Sequence, residues 1–282
     1  MIRSSNQIEG NFRVWKKRML EPEIESPDDV KRQAREAFND RAEHYALERE
    51  RLPYFQAQLE IVLTMLAGEG GRILDIGCAA GGEIPMLQRR GFSVVGIDLS
   101  PEMLRFARRR FAATGEVLFC RADIERLPFV SASMDDVVCL GVLEYLPNYS
   151  AALTEISRVL RPGGLAGLAL PSRISLYNIS DQIVNHTLRP IVRLAKRLVD
   201  RKPRVQGGNT LDRNLCVPWK FRALLRQHGF SPERSHYSNF FVYPLDRFPK
   251  VHVAVAEALE PLASVPLVRN AASVYLVSAR KN

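Results

Sequence analysis

Two carboxylates and a glycine turn stand in an order that can hold a nucleoside. The run Arg72-Ile-Leu-Asp75-Ile-Gly77-Cys78-Ala79-Ala-Gly81-Gly82 ends a short apolar stretch in an acid and a tight turn, and Val94-Val-Gly-Ile-Asp98-Leu-Ser-Pro ends a second apolar stretch in another acid. A carboxylate at a strand end can accept hydrogen bonds from sugar hydroxyls, and glycines let the backbone pass close beneath a ligand. A dinucleotide fingerprint asks for glycine at the first, third and sixth places of its hexad, the second one admitting a pyrophosphate. Here the hexad is Gly77-Cys-Ala79-Ala-Gly-Gly82, so the middle glycine is missing. Asp75 precedes it, where a negative charge would oppose a phosphate and favour a cation. A nucleotide-dependent oxidoreductase is therefore the weaker reading of this turn.

These groups need strands and helices to position them. Apolar runs at 72–76, 92–98, 116–120, 134–140 and 165–170 alternate with helical patterns at 83–90, 101–113 and 150–160. That rhythm predicts a parallel sheet with right-handed crossovers. Arg161-Pro-Gly-Gly164 should end the third of these helices and turn directly into the fifth strand. Upstream, residues 28–67 read as helical, with Phe38, Ala42 and Tyr45 at helical spacing and an apolar stripe from Gln56 to Leu66. After Pro171 the rhythm fails for some sixty residues, then strand signals return at 232–243 and 272–279, with a helix expected at 251–260. The organisation expected is a helical segment over 1–67, an α/β core over 68–171, an insertion capping the strand ends over 172–230, and terminal strands completing the sheet over 231–282.

In five ordered motifs the chain resembles the class I S-adenosylmethionine-dependent methyltransferases. They are Asp75-Ile-Gly77-Cys78-Ala79-Ala-Gly81, then Asp98, then Arg121-Ala-Asp123-Ile-Glu-Arg-Leu-Pro128, then Met134 through Leu140 to Glu144-Tyr145, and Leu160-Arg-Pro-Gly-Gly164. The resemblance covers residues 38–170 and implies a Rossmann-like, seven-stranded, mostly parallel sheet with flanking helices. It also implies S-adenosyl-L-methionine as cofactor. On that resemblance Asp98 would bind both ribose hydroxyls, and Gly77, Cys78 and Gly81 would pass beneath the methionine part. Asp75 and Leu140 would lie near the ammonium. Asp123 would read the adenine amino group, with Leu99, Met103 and Ile124 against the ring. The stretch Phe38-Asn-Asp-Arg41-Ala-Glu-His-Tyr45 resembles the helix that closes over the cofactor, which would bring Tyr45 and Arg41 to its amino-acid end.

Methyl transfer from a sulfonium is a direct displacement that asks mainly for alignment. No His, Asp and Glu cluster has ligand spacing, so a metal-independent enzyme is expected. Glu144, Tyr145 and His186 are the candidate catalytic groups, as ionisable side chains after the fourth strand or within the insertion. His236 and Tyr177 are further ionisable groups in or beside that region. Relatives often carry histidine where Tyr145 stands, which argues against a simple histidine base.

The acceptor is hinted at only by charge. Of the net +9, residues 189–204 hold +6, with seven basic side chains against Asp200. Leu188, Ile191, Val192, Leu194, Ala195, Leu198 and Val199 share one helical arc, with Arg189, Arg193, Lys196 and Arg197 opposite. Such a helix either packs on the sheet with a solvated basic face or docks peripherally on an anionic membrane surface through 188–204. A small-molecule or lipid-like acceptor, of a quinone, lipid or glycan type, is the expectation from this and from resemblance to capped members of the family. Localised basicity without a binding module speaks against a nucleic-acid partner. A non-catalytic module using the same fold to dock on a membrane or nucleic acid is the other alternative. The four cysteines lack zinc or redox spacing and read as reduced packing residues, and no signal-peptide or membrane-span pattern is present, so a cytoplasmic protein is expected.

Overall fold

The computed structural model describes residues 27–50, 53–66, 70–112, 117–182, 214–239 and 269–282, with isolated positions between 254 and 265. One sheet runs through it, with strands β1 (Gly71–Ile76), β2 (Phe92–Asp98), β3 (Val117–Arg121), β4 (Met134–Leu140), β5 (Leu160–Pro171), β6 (Phe230–Ser238) and β7 (Val274–Lys281). Their order is β3-β2-β1-β4-β5-β7-β6. The first five are parallel, and β7 runs antiparallel to both β5 and β6. This is the seven-stranded, mostly parallel sheet expected from the sequence. Chain order reverses between β1 and β4, and such a switch point opens a crevice at the carboxyl ends of the strands.

Each face of the sheet carries its own core, and strand side chains alternate between them as the pleat requires. Leu74, Ile76, Val95, Ile97, Val137 and Cys139 pack on one face, together with Ala152, Leu153 and Ile156 of helix α5 (Ser150–Val159). Ile73, Phe92, Val94, Val138 and Leu140 pack on the other. There they meet Leu59, Val62 and Leu63 of helix α2 (Pro53–Met65) and Ile84 and Leu87 of helix α3 (Ile84–Arg89). Burial on both faces is why these strands read as unbroken apolar runs. Truncating one of these side chains, as in Leu153→Ala, removes buried methyl groups worth about 2–5 kcal/mol. The edge strand β3 is covered only in part: Cys120 packs toward one core and Val117 and Phe119 toward the other, while Leu118 is 68% exposed.

Three boundaries differ from the sequence reading. The amino-terminal helical stretch is two helices, α1 (Pro27–Glu50) and α2, and the second opens on Pro53, whose ring is tolerated in a first turn but not within a helix. The strand β5 begins at Leu160, ahead of the Pro-Gly-Gly turn, because Leu160 pairs with Met134 before an irregularity that resumes the ladder at Asp136 and Leu165. Within the expected insertion, the described parts are 172–182, with helix α6 (Leu176–Gln182), and 214–230, with helix α7 (Pro218–Gln227). Phe221 and Leu225 of α7 are buried in the sheet's own core. Between β2 and β3 lies helix α4 (Pro101–Arg110). The basic stretch 188–204 falls outside the described residues, as does most of the helix expected at 251–260.

Candidate active site

A cleft opens above the carboxyl ends of the parallel strands, the place where open α/β sheets bind their ligands. Gly77 and Ala79 from the turn after β1 and Asp98 to Ser100 from the end of β2 line one side. Asp123 and Ile124 come after β3, Gly141 and Val142 after β4, and α1 lies over them.

The turn after β1 is shaped by close approach. Gly77 has φ +74°, and a Cβ there would lie 2.1 Å from Cγ2 of Val142. Its N–H and that of Cys78 both donate to the Ile97 carbonyl, at 2.8 and 3.0 Å, which ties the turn to the end of β2. Ala79, standing where a dinucleotide hexad has its middle glycine, has φ +46°. A side chain in that left-handed region costs about 1–2 kcal/mol. The conformation turns the Ala79 N–H onto Oδ2 of Asp98 at 3.0 Å, while the Ser100 N–H holds Oδ1 at 2.7 Å. Each Asp98 oxygen is thereby fixed by one backbone donor, and the carboxylate plane is set at the cleft wall.

Ser100 anchors the next element. Its Oγ accepts from the Met103 N–H at 3.1 Å, capping α4, and Pro101 fills the first helical position, where no donor is needed. The same hydroxyl donates to Oδ1 of Asn39 on α1 at 2.6 Å. A second tie holds the start of α1, where Lys31 Nζ donates to Asp123 Oδ2 at 2.7 Å and pairs with Glu125. The Glu125 N–H in turn donates to Asp123 Oδ1 at 3.0 Å. Burial works against the Lys31 ammonium, but its bonds to Asp123 and Glu125 outweigh that and raise its pKa. Further along α1, the Phe38 ring meets Tyr45 edge-on at 5.4 Å and Tyr145 at 5.3 Å.

Of the residues singled out from sequence, the cleft brings together Tyr45, Gly77, Asp98 and Leu99 with Met103, Asp123, Ile124 and Tyr145. Others sit behind its wall. Asp75 is 2% exposed in β1, and Leu140 is in the core on the same face as Ile73, leaving Gly141 and Val142 at the surface of the cleft. Gly81 abuts Phe111, where a Cβ would lie 2.5 Å from the ring. Cys78 is fully buried, and burial followed by the charges of Asp75 and Asp98 pushes its thiol well up, away from nucleophilic use. Glu144 does not line the cleft although its neighbour Tyr145 does. It is 7% exposed, and its charge, second to burial, pushes the Cys216 thiol up to about 12. Arg41 lies on α1, but its side chain is outside the described residues, as is His186. His236 pairs in β6 opposite Leu276, away from the cleft lining, and Tyr177 lies in α6.

Sequence reasoning missed Lys31, Arg35, Ser100 and Val142, all of which line the cleft. The first two could have been found by extending the stripe of Phe38, Ala42 and Tyr45 backwards by helical steps. Among the described residues, no group of three His, Cys, Asp or Glu side chains is arranged to hold a metal ion. No helix among them is long and apolar enough to cross a membrane.

Comparison with known proteins bears on the family and the fold. Residues 74–168 match the methyltransferase domain family. A fatty-acid O-methyltransferase of Mycolicibacterium smegmatis is 38% identical over 98 residues, covering 34% of this chain and 35% of that protein. A malonyl-[acyl-carrier protein] O-methyltransferase of Serratia marcescens is 38% identical over 112 residues, 40% of this chain and 43% of that one. The chain thus spans less than half the length of these relatives. A solved S-adenosylmethionine-dependent methyltransferase of Thermotoga maritima superposes with a TM-score of 0.54 at 17% identity, over 88% of this chain and 99% of that one, a likeness of fold.

Proposed function

We propose that this chain, which carries a class I S-adenosylmethionine-dependent methyltransferase domain, transfers a methyl group from S-adenosyl-L-methionine to an oxygen of an apolar, acid- or lipid-type small molecule. The observation that carries the reading is Asp98, held by the Ala79 and Ser100 N–H groups at the switch point of the sheet. A carboxylate oxygen has a second acceptor direction, so an Asp98 fixed in this way suits a vicinal diol. Leu99, Met103 and Ile124 make an apolar slot beside it that fits a purine, with Asp123 at its rim for an exocyclic amine. Gly77 lets the Val142 side chain close onto the turn, so that both line the cleft beside Asp98.

When bound, the cofactor supplies an electrophilic methyl group on a sulfonium. The chain's own residues then have three tasks: to align the acceptor oxygen with that methyl, to exclude water, and to leave the oxygen nucleophilic. Phe38, Tyr45 and Tyr145 form the aromatic boundary that performs the first two, and fixed geometry of this kind is worth up to about 7–11 kcal/mol in favourable cases. The third needs no general base if the acceptor is already an anion. An ionised carboxylate meets that condition at neutral pH, and the relatives named for fatty-acid and malonyl O-methylation support such an acceptor. The apolar character of Ala34, Phe38, Val142 and Leu146 around the cleft supports a hydrocarbon portion. Glu144 and His186 are then unnecessary as bases, and Tyr145 acts by shape. The amphipathic pattern at 188–204 supports delivery of such an acceptor from an anionic lipid surface.

The test is to titrate the protein with S-adenosylhomocysteine by calorimetry, then to follow methyl transfer from labelled S-adenosylmethionine to medium-chain fatty acids, a malonyl thioester and a quinol. Saturable binding with turnover on an acid is expected. Absence of cofactor binding would sink the reading outright, whereas binding with turnover only on the quinol would overturn the acid acceptor alone.

A further inference from the structure

Among the described residues, helix α1 presents two cations to the cleft, one helical turn apart, and their circumstances differ. Lys31 is committed to Asp123 and Glu125. Arg35, on the same face, is half-buried in the cleft lining and makes no hydrogen bond, ion pair or ring contact with any of the described residues. The acids within the cleft do not answer it: Asp98 is held by two backbone donors, and Asp123 by Lys31 and the Glu125 N–H. A guanidinium cannot shed its proton, so an unmatched one beside an apolar wall keeps its charge and its five donors. Those donors form a rigid fork whose geometry matches a carboxylate in two parallel bonds. Phe38, three residues on and therefore a neighbour on the helix surface, begins the aromatic boundary shared with Tyr45 and Tyr145. Among the described residues, the order along α1 is thus a cation paired with acids, one without a partner, then an aromatic surface.

We infer that Arg35 is the carboxylate-recognition residue of this cleft. The assignment rests on the methyl-transfer reading, under which two carboxylates can enter: that of the cofactor's amino-acid tail and that of an acid acceptor. The chemistry at Arg35 is the same for both, and the two sources are separable by experiment.

Arg35→Met keeps the aliphatic stem without the fork, and Arg35→Lys keeps the charge without the fork. Calorimetry on the full chain would measure each variant against two pairs of probes. S-adenosylhomocysteine is set against 5′-methylthioadenosine, which lacks the amino-acid carboxylate, and decanoate against methyl decanoate. If Arg35 takes the cofactor's tail, Arg35→Met weakens S-adenosylhomocysteine tenfold or more and leaves 5′-methylthioadenosine as in the wild type. If it takes the acceptor, decanoate loses tenfold or more and the ester does not. Arg35→Lys should lose less than Arg35→Met in whichever pair responds, and it carries the test if Arg35→Met fails to fold by circular dichroism. Equal affinities for all four probes in variant and wild type overturn the assignment while leaving the methyl-transfer reading intact. A wild-type chain that binds none of the four overturns both.

Discussion

The tips of β1 to β3 and the tips of β4, β5 and β7 are both rich in polar side chains, yet they use them in opposite ways. At β1 to β3, Asp98, Ser100 and Asp123 are fixed by backbone N–H groups and neighbouring side chains so that they border the cleft. At β4 and β5 the polar groups tie chain to chain. Asn214 Nδ2 donates to the carbonyls of Leu146 and Pro147 at 3.1 and 3.2 Å, its N–H donates to the Glu144 carbonyl at 2.7 Å, and Tyr149 Oη donates to the Asn214 carbonyl at 2.8 Å. The Cys216 N–H reaches the Pro171 carbonyl, and the Arg173 N–H reaches that of Cys216. A buried polar residue therefore reports on function only through the direction it faces. Glu144 and Tyr145 are adjacent in sequence and fall on opposite sides of this division.

The division can be broken by single substitutions. Asp98→Ala should have the largest effect, weakening S-adenosylhomocysteine about 100-fold in calorimetry, the worth of two hydrogen bonds to a charged acceptor, or about 3 kcal/mol. Normal affinity in that variant would remove the first region from the site. Asn214→Ala should do the reverse. The loss of two side-chain hydrogen bonds lowers the unfolding free energy by about 2 kcal/mol in urea denaturation, while S-adenosylhomocysteine binding stays within about twofold; a large loss of affinity would merge the two regions. Ala79→Gly is the smallest and sharpens the first region from within. Relief of its positive φ should raise stability by about 0.5–1 kcal/mol, with the Asp98 contact and cofactor affinity retained, and a destabilised variant would show that the buried methyl outweighs the strain.

What could be read from sequence divides along similar lines. Strands buried on both faces announce themselves, so β1, β2 and β4 lie where the apolar runs put them. The motif residues after β1, β2 and β3 were legible because a strand end fixes where its next residue goes. Helix α1 was half legible. Its apolar stripe through Phe38, Ala42 and Tyr45 was visible, but Lys31 and Arg35 on the same stripe look like a solvated face until the cleft beneath them is seen. Asp75 and Leu140 have motif positions beside the site, yet strand parity turns both toward the α2 and α3 face of the sheet, and it is Gly77, Gly141 and Val142, one or two residues further along, that line the cleft. No sequence period distinguishes Glu144 from Tyr145, because the single tight turn Leu143–Tyr145 decides which side each takes.

Two polar contacts of α1, the Lys31 ion pair and the Ser100 to Asn39 hydrogen bond, bear on rates as much as on shape. Both contacts must break for α1 to lift away from the cleft, and ligand exchange that requires such a lift runs below the diffusional limit. One of the ties is electrostatic and only partly buried, hence weakened by salt. The dwell time of S-adenosylhomocysteine in stopped flow should therefore shorten as ionic strength rises, and a dwell time indifferent to salt would mean that the helix stays put. Lys31, at the rim of the cleft, would then govern how long a ligand stays rather than how it is held.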